Sequence, residues 1–173
     1  MFTPRLLTAL TTTIALTAAL AQPAHAEAFN FTQGGYADGA VVTGRFAGTD
    51  LDGDGWLFGY ELTDFELHWS GNRAVAAFDL GYEQRAGLEF DLGNRTLAHM
   101  AAYSEAGDSM RLFSFDSMGW PSYQIPGVVT DEVLGLASMS WQSVSVTAVP
   151  EPQSVALLLA GLGLVGLRVR RSR

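Results

Sequence analysis

Phe65-Glu66-Leu67-His68-Trp69-Ser70-Gly71-Asn72-Arg73-Ala74-Val75-Ala76-Ala77-Phe78-Asp79-Leu80 is the stretch that decides the fold class. Apolar and polar side chains alternate from Phe65 to Trp69, the period of a strand with one buried face. Gly71-Asn72 interrupts the run with turn residues, and a second apolar run follows. The pattern returns downstream. Gly71-Asn72-Arg73-Ala74-Val75-Ala76 is echoed by Gly93-Asn94-Arg95-Thr96-Leu97-Ala98, and Phe78-Asp79-Leu80-Gly81 by Phe90-Asp91-Leu92-Gly93. Two similar hairpins in a meander are expected, each closed by a two-residue Gly-Asn turn. In the first, Trp69 then faces Ala74, Leu67 faces Ala76 and Phe65 faces Phe78. In the second, Phe90 faces Leu97 and Leu88 faces His99. Each hairpin gains one apolar face, with Glu66, His68, Glu89 and Asp91 pointing away.

Outward from these hairpins the same grammar continues. Strands are predicted over Ala28–Thr32, Ala40–Ala47, Asp64–Ser70, Arg73–Leu80, Ala86–Leu92, Arg95–Tyr103, Ser109–Phe115 and Ser140–Ala148. Asp116–Gly127, with Gly119, Pro121 and Pro126, reads as a long loop, and only Asp131–Ser138 hints at a helical period. The natural packing is all-β, an antiparallel β-sandwich of jelly-roll-like form.

Charge is segregated along the chain. Five of the ten basic residues are Arg5, Arg168, Arg170, Arg171 and Arg173, at the two ends. Between Glu27 and Glu132 five arginines meet seventeen acids, a net of −12, with no lysine. Such a surface repels phosphate backbones and argues against nucleic-acid binding. It suits solubility outside the cell and attracts divalent cations. There is no cysteine, so neither a disulfide framework nor thiol chemistry is available.

One segment carries coordination chemistry. Asp50-Leu51-Asp52-Gly53-Asp54-Gly55-Trp56-Leu57-Phe58-Gly59-Tyr60-Glu61 follows D-x-D-x-D-G-x5-E at every diagnostic position. Calcium takes six to eight hard oxygens. Asp50, Asp52 and Asp54 would offer carboxylates, Trp56 its backbone carbonyl and Glu61 a bidentate carboxylate. Gly55 permits the sharp turn. Strand-like runs flank the segment where an EF-hand has helices, so it resembles an EF-hand calcium loop set into a β connection, with calcium in a structural role. The plainer alternative is an acidic, glycine-rich turn.

Catalytic signals are thin. His68 and His99 are the two histidines of the body, and neither lies in H-E-x-x-H or G-x-S-x-G. His68 reads as exposed beside Glu66, and His99 as a satisfied core residue near Leu88. No enzymatic role is expected. Trp56, Tyr60, Trp69, Trp120, Tyr123 and Trp141 permit a sugar-stacking face, with Trp120 and Tyr123 in the long loop as the exposed candidates.

The two ends read as processing segments. Residues 1–26 have a charged n-region at Arg5, an apolar run from Leu6 to Leu20 and an Ala24-His25-Ala26 cleavage site, the layout of a secretory signal helix removed by signal peptidase. The mature chain would begin at Glu27. At the other end, Val149-Pro150-Glu151-Pro152 cannot enter a helix. An uncharged run from Val155 to Leu167 follows, then the arginines. As a helix that run reaches roughly 20 Å, short of a hydrocarbon core of roughly 30 Å, so it spans with help from flanking residues and snorkelling arginines. The arginines favour a cytoplasmic C-terminus.

Val149, Pro150, Glu151 and Pro152, the apolar segment with spaced glycines, and Arg168, Arg170 and Arg171 together resemble the PEP-CTERM tail of Gram-negative bacteria. The resemblance covers about 25 residues. It implies recognition by an exosortase at the inner membrane, cleavage near Pro150–Pro152, and delivery to the cell surface or extracellular polymer matrix. It implies nothing about the body. The expected organisation is a signal peptide over 1–26, a secreted sandwich over 27–148, and a sorting tail with a transmembrane helix over 149–173. The expected function is a structural or adhesive component of the envelope or exopolysaccharide matrix, with a calcium-stabilised polysaccharide-binding module as the alternative.

Overall fold

The computed structural model describes residues 26–106, 110–119 and 125–150. One antiparallel sheet is built from β1 (Glu27–Gln33), β2 (Val42–Gly48), β4 (Leu62–Trp69), β5 (Phe78–Leu80) and β11 (Ser145–Ala148), in the order β11-β1-β2-β4-β5. The other holds β3 (Trp56–Phe58), β6 (Arg85–Asp91), β7 (Thr96–Ala106), β8 (Met110–Asp116), β9 (Gly127–Asp131) and β10 (Leu136–Ser140), in the order β10-β9-β8-β7-β6-β3. Helical turns among the described residues are three short 3-10 segments, Ala37–Gly39, Gly59–Glu61 and Tyr82–Gln84. None of the described helices is long and apolar enough to cross a membrane. The body is therefore the expected all-β, two-sheet antiparallel sandwich. The segments expected to form the signal and transmembrane helices lie outside the described residues, as do Glu151, Pro152, Arg168, Arg170, Arg171, Trp120 and Tyr123.

Alternation along the strands explains the core. Phe29 and Phe31 of β1, Phe46 of β2, Phe65, Leu67 and Trp69 of β4, and Leu88 and Phe90 of β6 all point inward and are buried. The two sheets meet ring against ring: Phe29 lies 4.7 Å from Phe90, and Phe78 stacks on Phe113 at 4.8 Å, centroid to centroid. Each fully buried side chain of this size contributes about 1.5–3 kcal/mol. Without disulfides, this interface is the main source of cohesion.

The hairpin registers differ from the sequence expectation in instructive ways. β4 pairs with β5 as Trp69↔Phe78 and Leu67↔Leu80, so Arg73–Ala77 is a loop and not strand. Asn72 is the cause. Its Oδ1 accepts the amides of Ala74 and Val75 (3.0 and 2.9 Å), a side-chain turn that competes with the ladder. The loop folds inward on fully buried Val75, whose carbonyl accepts the Trp69 indole N–H at 3.2 Å. The faces nevertheless stay as read, with Phe65, Leu67 and Trp69 inside. The register moved by an even step, which leaves every side chain on its original face.

In β6–β7, Phe90 faces Leu97 as expected, but a bulge between Glu89 and Phe90 sets Leu88 opposite Met100 and His99 opposite Glu89. His99 thus belongs to the outer face, not the core. The turn spans four residues, with Asp91 accepting the backbone amide and the side-chain N–H of Asn94 (both 2.8 Å) and Arg95 at φ 55°. The echoed hairpins also sit in different sheets: the 3-10 turn Tyr82–Gln84 carries the chain across between β5 and β6. The suspected helical stretch at Asp131–Ser138 is the β9–β10 hairpin, paired Leu136↔Asp131 through Ser140↔Gly127.

One end of the sandwich is closed by a buried polar clasp. Gln33, 1% exposed, donates through Nε2 to the carbonyls of Pro126 (2.8 Å) and Gln142 (2.6 Å), and its Oε1 accepts the Tyr36 hydroxyl at 2.6 Å. Burial pushes the Tyr36 phenol well above its ordinary value. The residue beneath is glycine, and a side chain there would push the clasp aside. A Cβ on Gly127 would lie 2.2 Å from Gln33 Oε1.

Candidate functional site

The acidic segment is the crossing between the sheets, running from the end of β2 through residues 49–55 into β3. Its conformation is written in its own side chains. Asp50 accepts the Gly53 amide on Oδ1 (2.7 Å) and the Gly55 amide on Oδ2 (2.9 Å), while Asp54 Oδ1 accepts the amide of Trp56 at 2.8 Å. Gly53 and Gly55 take φ values of 74° and 85°, where a side chain would be strained. The Gly55 amide above all, then those of Gly53 and Asp54, hold the Asp50 carboxyl below the usual carboxylate range.

This folding converges the three aspartates. One carboxylate oxygen from each of Asp50, Asp52 and Asp54 lies within 4.8 Å of the other two. Exposed unit charges about 4 Å apart repel by about 1 kcal/mol in water. Glu61 is not one of the three. It is buried at the base of the loop, where Oε1 accepts the Leu51 amide (2.7 Å) and Oε2 the Phe58 amide (2.9 Å). A carboxylate has about four acceptor positions, so these two bonds leave capacity on Glu61. Trp56 begins β3, and its indole packs outside the core against Phe58.

The chain leaves the sandwich beside this loop. β11 pairs with β1 from Thr32↔Ser145 to Phe29↔Ala148, and the Val149 amide donates to the Ala28 carbonyl at 2.8 Å. Glu27 in turn pairs with Gly48, one residue before the acidic crossing begins. The expected mature N-terminus, the start of the tail and the aspartate loop therefore share one end of the fold. Pro150 has no N–H to extend the ladder, so pairing stops where Val-Pro-Glu-Pro starts.

Residues 148–173 match the PEP-CTERM protein-sorting motif. That motif marks an exported protein handled by an exosortase and sent through the membrane to the cell surface of a Gram-negative bacterium. The match covers the tail and the last residue of β11, and leaves the rest of the sandwich unassigned. No curated protein and no solved structure matches the chain.

Of the remaining predicted residues, the two histidines fall on the sheet surfaces. His68 is exposed on the outer face of the first sheet, with Nδ1 2.7 Å from Asp79 Oδ1. His99 lies 3.3 Å from Asp116 Oδ1 on the outer face of the second. Hydrogen bonding to Asp116 raises the His99 pKa above 6.5. Trp69 is core, Trp141 is 72% exposed, and Tyr60 is 67% exposed. Two features escaped the sequence reading: the three-residue strand Trp56–Phe58 inside the acidic loop, and the row of rings it creates. Alternation at Trp56, Phe58 and Tyr60 was the available signal.

Proposed function

We propose that the sandwich is a non-catalytic structural or adhesive module of the envelope or exopolysaccharide matrix, cut free of both terminal segments during export and stabilised by calcium. The observation that carries this reading is the junction at Val149. A sandwich whose last strand is hydrogen-bonded to its first passes directly into a sorting motif, so cleavage beyond Pro150 leaves the fold intact. The two adjoining ends also make it a discrete cargo, with signal peptidase acting before Glu27 and an exosortase acting at Pro150–Pro152.

Calcium fits the donor chemistry of the acidic loop. Asp50, Asp52 and Asp54 would hold it with Trp56 and Glu61 completing the set of hard oxygens, and it would offset the mutual repulsion of the carboxylates. Held by these residues, which lie between β2 and β4, calcium would brace the crossing between the two sheets at the end nearest the tail.

Cell fractionation tests the sorting claim. Wild-type protein should reach the cell surface or matrix, and Pro150→Ala/Glu151→Ala/Pro152→Ala should accumulate in the inner membrane with its tail attached. Identical distribution of the two would contradict it.

A further inference from the structure

The outer faces of the two sheets differ in chemistry. On the first sheet, Arg45, Asp64, Glu66, His68 and Asp79 project outward, and Arg45 pairs with Asp64 (3.6 Å) and His68 with Asp79. A hollow of about 720 Å³ lies over that face, but among the described residues no Phe, Tyr or Trp side chain projects from it. The second sheet presents something else. Leu57 is fully buried, so Trp56 and Phe58 on either side of it face out, and the following turn adds Tyr60. Phe58 and Tyr60 lie nearly parallel, 6° between planes and 5.7 Å between centroids, and Trp56 continues the row 6.4 Å from Phe58 at 23°.

Beside these rings runs a groove of about 430 Å³, within the roughly 300–1,000 Å³ typical of ligand sites. Its shape follows from register. Phe58, Glu89 and His99 sit side by side across β3, β6 and β7, and the next row is Gly87 opposite Ala101, which adjoins Asp116. Glycine and alanine make a low floor between a wall of rings and a wall of hydrogen-bonding groups. A second hollow of about 470 Å³ adjoins it at Ala86 and lies over Ala101 and Asp116 toward β9 and β10, and the two together form the trough.

We infer that this trough binds a chain of neutral sugars, with Phe58 and Tyr60 as the stacking wall and Glu89, His99 and Asp116 as hydroxyl-binding groups. This deepens the matrix reading above and rests on it. Carbon-bound hydrogens of a pyranose ring pack on aromatic faces, and its hydroxyls donate to carboxylates. Arg85 also lines the groove, but its guanidinium donates to the carbonyls of Gly59 and Tyr82, and Glu89, Asp116 and the net charge of −12 over the body disfavour an anionic polymer. Tyr60 also approaches the acidic loop, its hydroxyl 3.5 Å from Asp52 Oδ2, which ties the stacking wall to that loop.

The test is affinity electrophoresis of the full chain in detergent through gels containing a neutral β-glucan, a neutral galactomannan or the polyanion alginate. Retardation by at least one neutral polymer is expected, with none by alginate. Tyr60→Ala and Glu89→Gln should each weaken it at least tenfold at unchanged melting temperature, and Glu66→Gln/His68→Ala on the opposite face should leave it unchanged. The inference is overturned if folded wild type passes all neutral gels freely, if Tyr60→Ala and Glu89→Gln are retarded like wild type, or if alginate retards as strongly. Surface localisation with a cleaved tail is read separately, so its failure and this one are distinct.

Discussion

The amide of Val149 and the carbonyl of Ala28, 121 positions apart in sequence, close the first sheet through a 2.8 Å hydrogen bond. Ala28 is the second residue of the expected mature chain, and Val149 immediately precedes the first proline of the sorting tail. The edge strand β11 is short and holds to β1 through four paired positions and one half-buried side chain, Val146. It is both part of the fold and the start of the tail.

Ending the chain there should separate the two roles. A chain stopped after Pro150 should melt like the whole body. One stopped after Val144 should lose about 2 kcal/mol, roughly 6–10 °C in Tm, because the Val146 contact and the β1 edge pairing go with it. Equal melting temperatures would show that β11 contributes nothing to the fold.

Calcium should raise the melting temperature of the wild type. At one hundred times its Kd a ligand of the native state stabilises by about 2.7 kcal/mol. Asp52→Ala/Asp54→Ala should abolish that gain and be little affected by a chelator. A wild-type Tm indifferent to calcium and chelator alike would refute calcium binding by the loop.

The clasp at the other end makes a steeper prediction. Gln33→Leu removes both donors and the acceptor for Tyr36, and should cost about 1–3 kcal/mol per buried group left unsatisfied. Gly127→Ala should destabilise in the same direction, since its Cβ has Gln33 Oε1 at 2.2 Å and the Tyr36 hydroxyl at 2.5 Å and those side-chain ends must give way. Urea midpoints at constant slope measure both.

His99 and Asp116 give a pH signature. His99 is raised above 6.5 by its hydrogen bond to Asp116, so its contribution is complete below that value and is lost as pH rises through the folded pKa. For Asp116, burial pushes upward but the hydrogen bonds from His99 and the Met118 amide outweigh it, leaving the group below 3.8. Its contribution is present above 3.8 and is lost as pH falls through that lowered value. The pair is partly solvated, which limits it to about 1 kcal/mol or less. As pH rises from 6.5 through the raised folded pKa, the wild type should lose stability that His99→Gln does not lose. Parallel pH profiles would contradict the assignment.

Much of the architecture was legible because strand alternation survives errors of register. Phe65, Leu67, Trp69, Leu88 and Phe90 were placed inward from their period alone, and they are inside. Turn chemistry was harder to read. Gly-Asn suggested two-residue turns, whereas the side chains of Asn72 and Asp91 capture nearby amides and build longer loops. The bulge at Glu89, which moved His99 to the surface, leaves no mark in composition. The aspartate cluster was legible because its geometry is local. The trough was not, since Phe58, Glu89 and His99 come together only through pairing across three strands.

The most direct measurement is the intact mass of the protein recovered from the cell surface and culture matrix. The expected mass corresponds to a chain beginning at Glu27 and ending within Pro150–Pro152, with whatever group the sorting enzyme attaches. A surface-derived chain still carrying Met1 and Arg173, or full-length chains confined to the cytosol, would contradict it.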